Sequence, residues 1–385
     1  MTRTNLHSAV PPISDAERRD RLVKLRLGMA AIGIDAVLLG SSNALRYFTG
    51  LVWHQASRFC GALITSTEIT YIVPAFERTR MEELPRLDGD IAEWQEDASA
   101  AALIVSLLKP TDVLAVDDAL PLIQYHPIAR ALGAELVIDG GRMIRDLRMI
   151  KSATEIALMQ HAMDITLQVH KAAHAMIRPG IKASEVEKFV DAEHRRLGAD
   201  NGSLFCIVSF GVATALPHGS PTDHSYEAGD VILVDTGCRI HGYPSDITRT
   251  YVLDEPGPEF ARHWAIEHEA EQAVFDAAKL GVACGSLDDI ARALVAKYGL
   301  GPDYKLPGIP HRAGHGLGLD GHEDPFIVRA NDIRLAPGMC FSSEPMIVFP
   351  GRYGIRLEDI IYMTADGPRW FTKPSLSPTE PFDER

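Results

Sequence analysis

VILVDTGCRIHGYPSDITRTYVL, residues 231–253, is an apolar run, a turn bearing glycine and proline, and a second β-rich run, which is the pattern of a hairpin. MCFSSEPMIVFPGRYGIRLEDIIYMT, residues 339–364, repeats the design. Each stretch carries two carboxylates, Asp235 and Asp246 eleven positions apart in the first, Glu344 and Glu358 fourteen apart in the second. The first carboxylate of each ends a run of buried-strand character, and the second sits where the chain returns. A hairpin of this kind brings both carboxylates to one end of a sheet. Between the stretches lies HRAGHGLGLDGHEDP (311–325), which offers His315 amid glycines. A lone acid near a turn is usually solvated, but the runs holding Asp235, Glu344 and Glu358 are otherwise apolar. An unpaired carboxylate is costly to bury there. Four carboxylates with one imidazole suit a pair of divalent first-row ions better than a thiolate-loving structural zinc or a lone magnesium or calcium.

Composition sets the frame for this site. The chain has 385 residues, 46% hydrophobic and 23% charged, which fits a globular protein of two domains or one large one. A net charge of −14 argues against a nucleic-acid or anionic-membrane binder. The five cysteines are scattered with no CxxC spacing and read as reduced thiols of a cytoplasmic protein. No apolar run reaches membrane-spanning length, and the start MTRTNLHSAVPP is too polar for a signal peptide.

Helical and strand patterns alternate through the first 150 residues. Ser14 and Glu17 have capping-box spacing ahead of a helix carrying Leu22 and Leu25. Strand patterns follow at 36–40, 60–65, 69–74, 113–118 and 134–140, and helical patterns at 43–50, 76–84, 98–108 and 122–133. This predicts an α/β domain with a largely covered sheet and no glycine-rich phosphate loop. Residues 142–156 read as a junction, where Ser152 and Glu155 open a long helix. From there to 364 the order helix, helix, strand, carboxylate hairpin occurs twice, which predicts a pseudo-symmetric second domain with the acids between its halves.

Residues from about 150 to 385 resemble the pita-bread metallohydrolases, and within them the aminopeptidase P and prolidase (Xaa-Pro peptidase) branch. Residues 1–150 resemble that branch's creatinase-like N-terminal domain. The expected architecture is therefore an α/β N-terminal domain (1–150) followed by an α+β pita-bread (creatinase/aminopeptidase) catalytic domain (151–385) with a pseudo-twofold repeat. The family's metal ligands match Asp235, Asp246, His315, Glu344 and Glu358 in order. Its further active-site histidines match His218 in ALPHG, His311, and His322 in GHEDP, and Arg356 matches the arginine of its GxRxED pattern.

The resemblance implies two divalent metal ions, manganese first, with cobalt, zinc or iron as alternatives. It implies a metallopeptidase that cleaves small peptides with proline at the second position by attack of a metal-bridging water. Asp246 and Glu358 would bridge, Asp235 would bind one ion and His315 the other, and Glu344 would be both ligand and proton carrier. His322 or His218 would donate to the substrate carbonyl, and Thr248 and Arg356 would orient Asp246 and Glu358. The acidic neighbours Glu323 and Asp324 are expected to hold the His322 ring and favour its protonated form. Where the family often has glycine and tyrosine after the Glu-Pro pair, this chain has Met346 and Val348, which predicts a more apolar pocket wall. Other functions on the same scaffold are creatinase-like or compatible-solute hydrolysis, sulfonium lysis, and metal-free peptide binding; the retained ligand set argues against the last. The loop LVWHQASR, with Trp53, His54 and Arg58, can reach a neighbouring active site in this family, so a homodimer is expected.

Overall fold

A computed structural model describes residues 10–382; the first nine residues of the polar start lie outside them. The described residues fall into two compact units, one formed by residues 13–148 and the other by residues 149–382 with residues 10–12.

In the first unit, α1 (Asp15–Ile32) begins where Ser14 Oγ accepts the Glu17 N–H at 3.2 Å. It buries Leu22, Leu25 and Met29 and stops at Gly33, whose φ of 72° suits a residue without Cβ. Then come β1 (Ala36–Leu39), α2 (Asn43–Thr49), β2 (Gly61–Thr65), β3 (Ile69–Pro74), α3 (Arg78–Glu83) and β4 (Asp90–Trp94). The unit continues with α4 (Ala100–Ser106), β5 (Leu114–Val116), α5 (Leu122–Leu132), β6 (Val137–Asp139) and α6 (Gly141–Met149), which runs to its border. The strands form one mixed sheet in the order β4-β3-β2-β1-β5-β6. Leu38, Leu63, Ile72 and Leu114 pack with Ile104 of α4 and Ile128 of α5, so the sheet is covered by helices as its apolar strands require. Two elements differ from the pattern reading. The edge strand β4 buries only Trp94 and lacks an apolar run, and α6 is so rich in arginine that it reads as a linker.

The second unit opens with α7 (Ala153–Met176). Ser152 Oγ accepts from Glu155 N–H at 3.2 Å while Glu155 accepts from Ser152 N–H at 2.9 Å, a complete capping box. The order is then α8 (Ala183–Leu197), β7 (Ser203–Phe210), β8 (Ile232–Ile240), β9 (Tyr243–Pro244), β10 (Ile247–Tyr251), α9 (Pro258–Ala277) and α10 (Cys284–Lys297). The last part holds β11 (Gly314–Gly316), β12 (Glu323–Ile327), β13 (Cys340–Ser343), β14 (Ile347–Phe349), β15 (Tyr353–Ile355), β16 (Asp359–Thr364) and β17 (Gly367–Trp370). One sheet runs β10-β8-β7 and another β12-β11-β13-β16-β17, with β14 and β15 as a separate pair. Ala270 and Val274 of α9 and Leu287 and Ala291 of α10 pack with Phe341 and Ile361.

The first hairpin forms as expected, β8 pairing antiparallel with β10 so that Asp235 lies opposite Thr248. The second is more elaborate. Strand β13 pairs with β16, and the β14–β15 hairpin is inserted between them. Ser343 is in register with Asp359, so Glu344 and Glu358 face each other one step beyond the ladder's last pair. The two halves meet at an isolated bridge: Thr248 N–H donates to the Glu358 carbonyl at 3.3 Å, and Glu358 N–H donates back at 3.1 Å. That backbone contact brings both carboxylate pairs together.

Candidate metal centre

Four strands, with Glu344 directly after β13, and a glycine-flanked histidine build the centre. Asp235 projects from the middle of β8 between Ile207 of β7 and Thr248 of β10. Asp246 lies just before β10 and Glu358 just before β16, both buried. His315 is carried inward because β11 seats tightly on its neighbours: a Cβ on Gly314 would lie 2.1 Å from the Ser342 carbonyl oxygen. Ser342 Oγ accepts the His315 N–H at 2.9 Å, and the ring's Nδ1 lies 3.1 Å from the Gly316 carbonyl. An Nδ1–H donated there leaves the Nε2 lone pair for a ligand. Nε2 lies 3.3 Å from Glu344 Oε1 and 3.8 Å from Asp246 Oδ2.

The donor atoms fall into overlapping groups. Asp235, Asp246 and Glu358 have ligand atoms within 4.8 Å of one another, as do His315, Glu344 and Glu358, and likewise Asp246, His315 and His322. Burial, and then the neighbouring carboxylates, push the Asp246 and Glu358 carboxyls well above their ordinary range. Burial holds His315 down to about 4, so the ring is neutral and ready to ligate. Asp235 Oδ1 and Glu358 Oε1 are buried without a hydrogen-bond partner among the described residues. Crowded acids with orphaned oxygens around one neutral imidazole call for cations, and the oxygen-rich, thiol-free set fits hard or borderline divalent ions.

The surroundings fix this set. Thr248 Oγ1 donates to Glu358 Oε2 at 2.6 Å and accepts from Arg356 Nε at 3.1 Å. Arg356 Nη2 donates to Asp235 Oδ2 at 2.5 Å, and Nη1 to the Pro217 carbonyl at 2.9 Å. The outer contacts thus hold Glu358 and Asp235, whereas the sequence reading assigned them to Asp246 and Glu358. Arg356 is itself buried, which works against its charge, but the four carboxylates around it raise its pKa.

The donors open on a cavity of about 630 Å³ lined also by His218, His311, His322, Arg239 and Arg312. His218 and His322 are exposed to it, and His311 is half-buried with Nδ1 2.7 Å from the Arg312 carbonyl. His322 stacks on His315 with ring centroids 3.7 Å apart. Burial and then His315 lower its pKa to about 4. This corrects the expectation of a protonated ring: Glu323 is paired with buried Lys151 (2.6 Å), and His322 is stacked on a second imidazole instead. Met346 and Val348 do not line the cavity either. They pack behind it with Leu233, and Met346 Sδ lies 3.6 Å from Arg356 Nη1. Cys238 is buried and its thiol is pushed up to about 11, an inert group.

Several contributors were not singled out from the sequence. Arg249, fully buried in β10, donates to the Glu358 carbonyl at 3.0 Å and pairs with Asp359 at 2.9 Å. Asp288 and Arg292 of α10 pair at 3.0 Å, and Arg292 donates to the carbonyls of Ile309 (3.1 Å) and His311 (2.5 Å), pinning the segment that leads to His315. Charged residues inside apolar periods were the available signal in both cases.

Residues 157–365 match the model of metallopeptidase family M24, and residues 21–150 match the creatinase/prolidase N-terminal domain. The chain belongs to metallopeptidase family M24. A probable dipeptidase PepE of Mycobacterium tuberculosis is 36% identical over 352 residues, covering 90% of this chain and 92% of the relative. An Xaa-Pro dipeptidase of Pyrococcus horikoshii is 31% identical, covering 88% of this chain and 93% of its own length. The crystal structure of dipeptidase PepE from Mycobacterium ulcerans superimposes with a TM-score of 0.87 at 30% identity, covering 97% of this chain and 99% of that one. The fold is accordingly a creatinase-like N-terminal domain with a pita-bread catalytic domain, and the M24 protein is a hydrolase that works with divalent metal. No described helix is long and apolar enough to cross a membrane.

Proposed function

We propose that this M24 protein hydrolyses Xaa-Pro dipeptides with two divalent ions, manganese first, held by Asp235, Asp246, His315, Glu344 and Glu358. The observation that carries the reading is the convergence of both carboxylate pairs and the neutral His315 at the floor of one cavity. The similar dipeptidases, one of them named an Xaa-Pro dipeptidase, supply the substrate class. Asp246, Glu358 and His315 each belong to two of the donor groups, and of these only the two carboxylates have a second oxygen with which to bridge, which supports that role for both. Ions bound there would supply a hydroxide nucleophile near neutral pH and polarise the scissile carbonyl.

The chain's own groups do the rest. Glu344, facing the cavity beside His315, takes the proton of the attacking water on a carboxylate oxygen and returns it to the leaving proline nitrogen. His322 and His218 offer ring N–H groups to the oxyanion from the open side, and His311 backs them. Arg356 acts as a positioning residue by holding Asp235. Catalysis belongs to residues 151–385, with 1–150 as an accessory domain; the protein is a cytoplasmic homodimer on this reading, its five cysteines all free thiols. Metal-stripped protein reloaded with manganese is expected to bind two ions per chain and to cleave Ala-Pro far faster than Ala-Ala or Pro-Ala. Equal turnover of Ala-Ala, or full activity with one ion per chain, would overturn it.

A further inference from the structure

The β13–β16 ladder ends on one rung, Ser343 opposite Asp359, and the residues just beyond it are Glu344 and Glu358. Side chains alternate along a strand, so this rung leaves the sheet on the same face as the Phe341–Ile361 rung, the face covered by α9. Glu271 of α9 meets both members of the last rung. Its backbone carbonyl accepts from Ser343 Oγ at 3.2 Å, and its carboxyl bonds with that of Asp359. Asp359 is also held by Arg249, with Oδ1 3.0 Å from Nη2 and Oδ2 2.9 Å from Nη1, and Oδ1 accepts from Thr372 Oγ1.

This corner is short of donors. Glu271 and Asp359 are both buried, and neither carboxyl oxygen of Glu271, nor Asp359 Oδ2, has an aligned donor among the described residues. Two ionised carboxylates in contact offer acceptors only, whereas one proton between them supplies the missing donor. Burial and then Asp359 push the Glu271 carboxyl well above its ordinary range, and Arg249 works the other way. Arg249 is committed to Asp359 and to the Glu358 carbonyl, so Asp359 stays ionised and the proton resides on Glu271. Glu267, an equally buried acid one turn earlier on α9, brings no cation to the pair.

We infer that Glu271 is a positioning residue of the metal centre: as a neutral acid it donates to Asp359 and, with its carbonyl on Ser343, clamps the rung that sets the spacing of Glu344 and Glu358. The inference rests on the reading of those two acids as metal ligands, but its test separates the two. The manganese content of the wild type reports on that reading alone. The proton on Glu271 is read without metal, and the ratio of manganese affinities between variants reports on the clamp.

A protonated carboxyl absorbs in the infrared apart from an ionised one. The difference spectrum of wild type minus Glu271→Gln at neutral pH should contain one protonated-carboxyl band, with or without manganese, because the ligand acids are common to both proteins. Glu271→Gln, whose amide N–H replaces the acid's O–H, should bind manganese like the wild type. Glu271→Leu, close in size but without a donor, should raise the manganese Kd about tenfold, the lower end of the loss seen for outer partners of a metal ligand. An acid that serves only the fold would lower the urea stability of Glu271→Leu and leave its Kd unchanged. Absence of the band, a glutamine variant that binds as weakly as the leucine variant, or a folded leucine variant with the wild-type Kd each overturns the assignment. If Glu271→Leu does not fold, the band and the Kd of Glu271→Gln still decide, since a weakened Kd in that variant removes the clamp's hydrogen-bond basis.

Discussion

Thr248→Val tests whether the carboxylate geometry depends on its hydroxyl neighbour. Thr248 is fully buried, and its Oγ1 donates to Glu358 Oε2 at 2.6 Å while accepting from Arg356 Nε at 3.1 Å. Valine keeps the shape and the β-branch, and the backbone bridge from residue 248 to Glu358 does not involve the side chain. What is lost is the short hydrogen bond to the carboxylate, worth about 1.5–3 kcal/mol, together with the acceptor for Arg356 Nε. Glu358 Oε1 already has no partner, so the variant leaves that carboxylate unsupported by side chains on either oxygen. Loss of an outer hydrogen bond to a metal ligand typically costs about 10- to 100-fold in metal affinity, the same scale reached independently. Metal-stripped protein titrated with manganese should therefore show a Kd raised about 10- to 100-fold. The kcat at saturating manganese should be nearly retained, and Thr248→Ser should bind like the wild type. An unchanged Kd would refute the argument, as would a kcat that excess metal cannot restore.

Other substitutions probe separate parts. His315→Ala should lose metal and activity together, whereas His322→Ala should keep its metal and lose about a hundred- to a thousandfold in kcat; elemental analysis and turnover on one dipeptide distinguish them, and metal loss in His322→Ala would make that ring a ligand. His194, buried between Ser203 Oγ (2.8 Å) and Thr166 Oγ1 (3.1 Å), is held down to about 4 by burial. The unfolded chain takes up that proton near the ordinary value of 6.5, so this group's contribution is complete above pH 6.5 and is lost as pH falls toward 4, roughly 3 kcal/mol over the window. His194→Gln should show a shallower fall of Tm across that range, and an unchanged slope would refute the assignment. Lys151→Met removes the cation paired with the Glu323 carboxylate and should cost about 3–5 kcal/mol, most of it regained in Lys151→Met/Glu323→Gln; urea unfolding of the single and double variants measures the coupling.

The carboxylates were legible because acids inside apolar strand runs violate the local pattern, and the hairpin periodicity around them was strong. The long helices were legible for a related reason: Ser152 and Glu155 form a bond pair that the sequence spacing alone specifies. What was not legible depended on pairings across the chain. Arg356 stands two residues before Glu358 but reaches Asp235, 121 positions away, because β15 and the turn after it carry it across the sheet junction. Lys151 and Glu323, 172 positions apart, could not be paired from sequence, and without that pair His322 looked like a protonated ring beside acids. Met346 and Val348 looked like pocket wall because they follow Glu344 so closely; the chain instead turns away into β14 and buries them. Strand β4 escaped notice because an edge strand need not be apolar on either face.

The same junction explains why so many acids can share one buried place. Glu344, Glu358, Asp235 and Asp246 are each delivered by backbone, through the β13–β16 ladder, the β8–β10 ladder and the Thr248–Glu358 bridge that joins them. Arg249 reinforces that bridge from the far side by bonding the Glu358 carbonyl, so the position of Glu358 does not depend on its own side chain. Charge repulsion among the acids is therefore resisted by strand pairing rather than relieved by movement. A metal-free site of this kind stays assembled and strained toward cations, and binding returns the electrostatic cost of the assembly. Preorganisation of the ligands and the pull on metal are two consequences of one backbone contact.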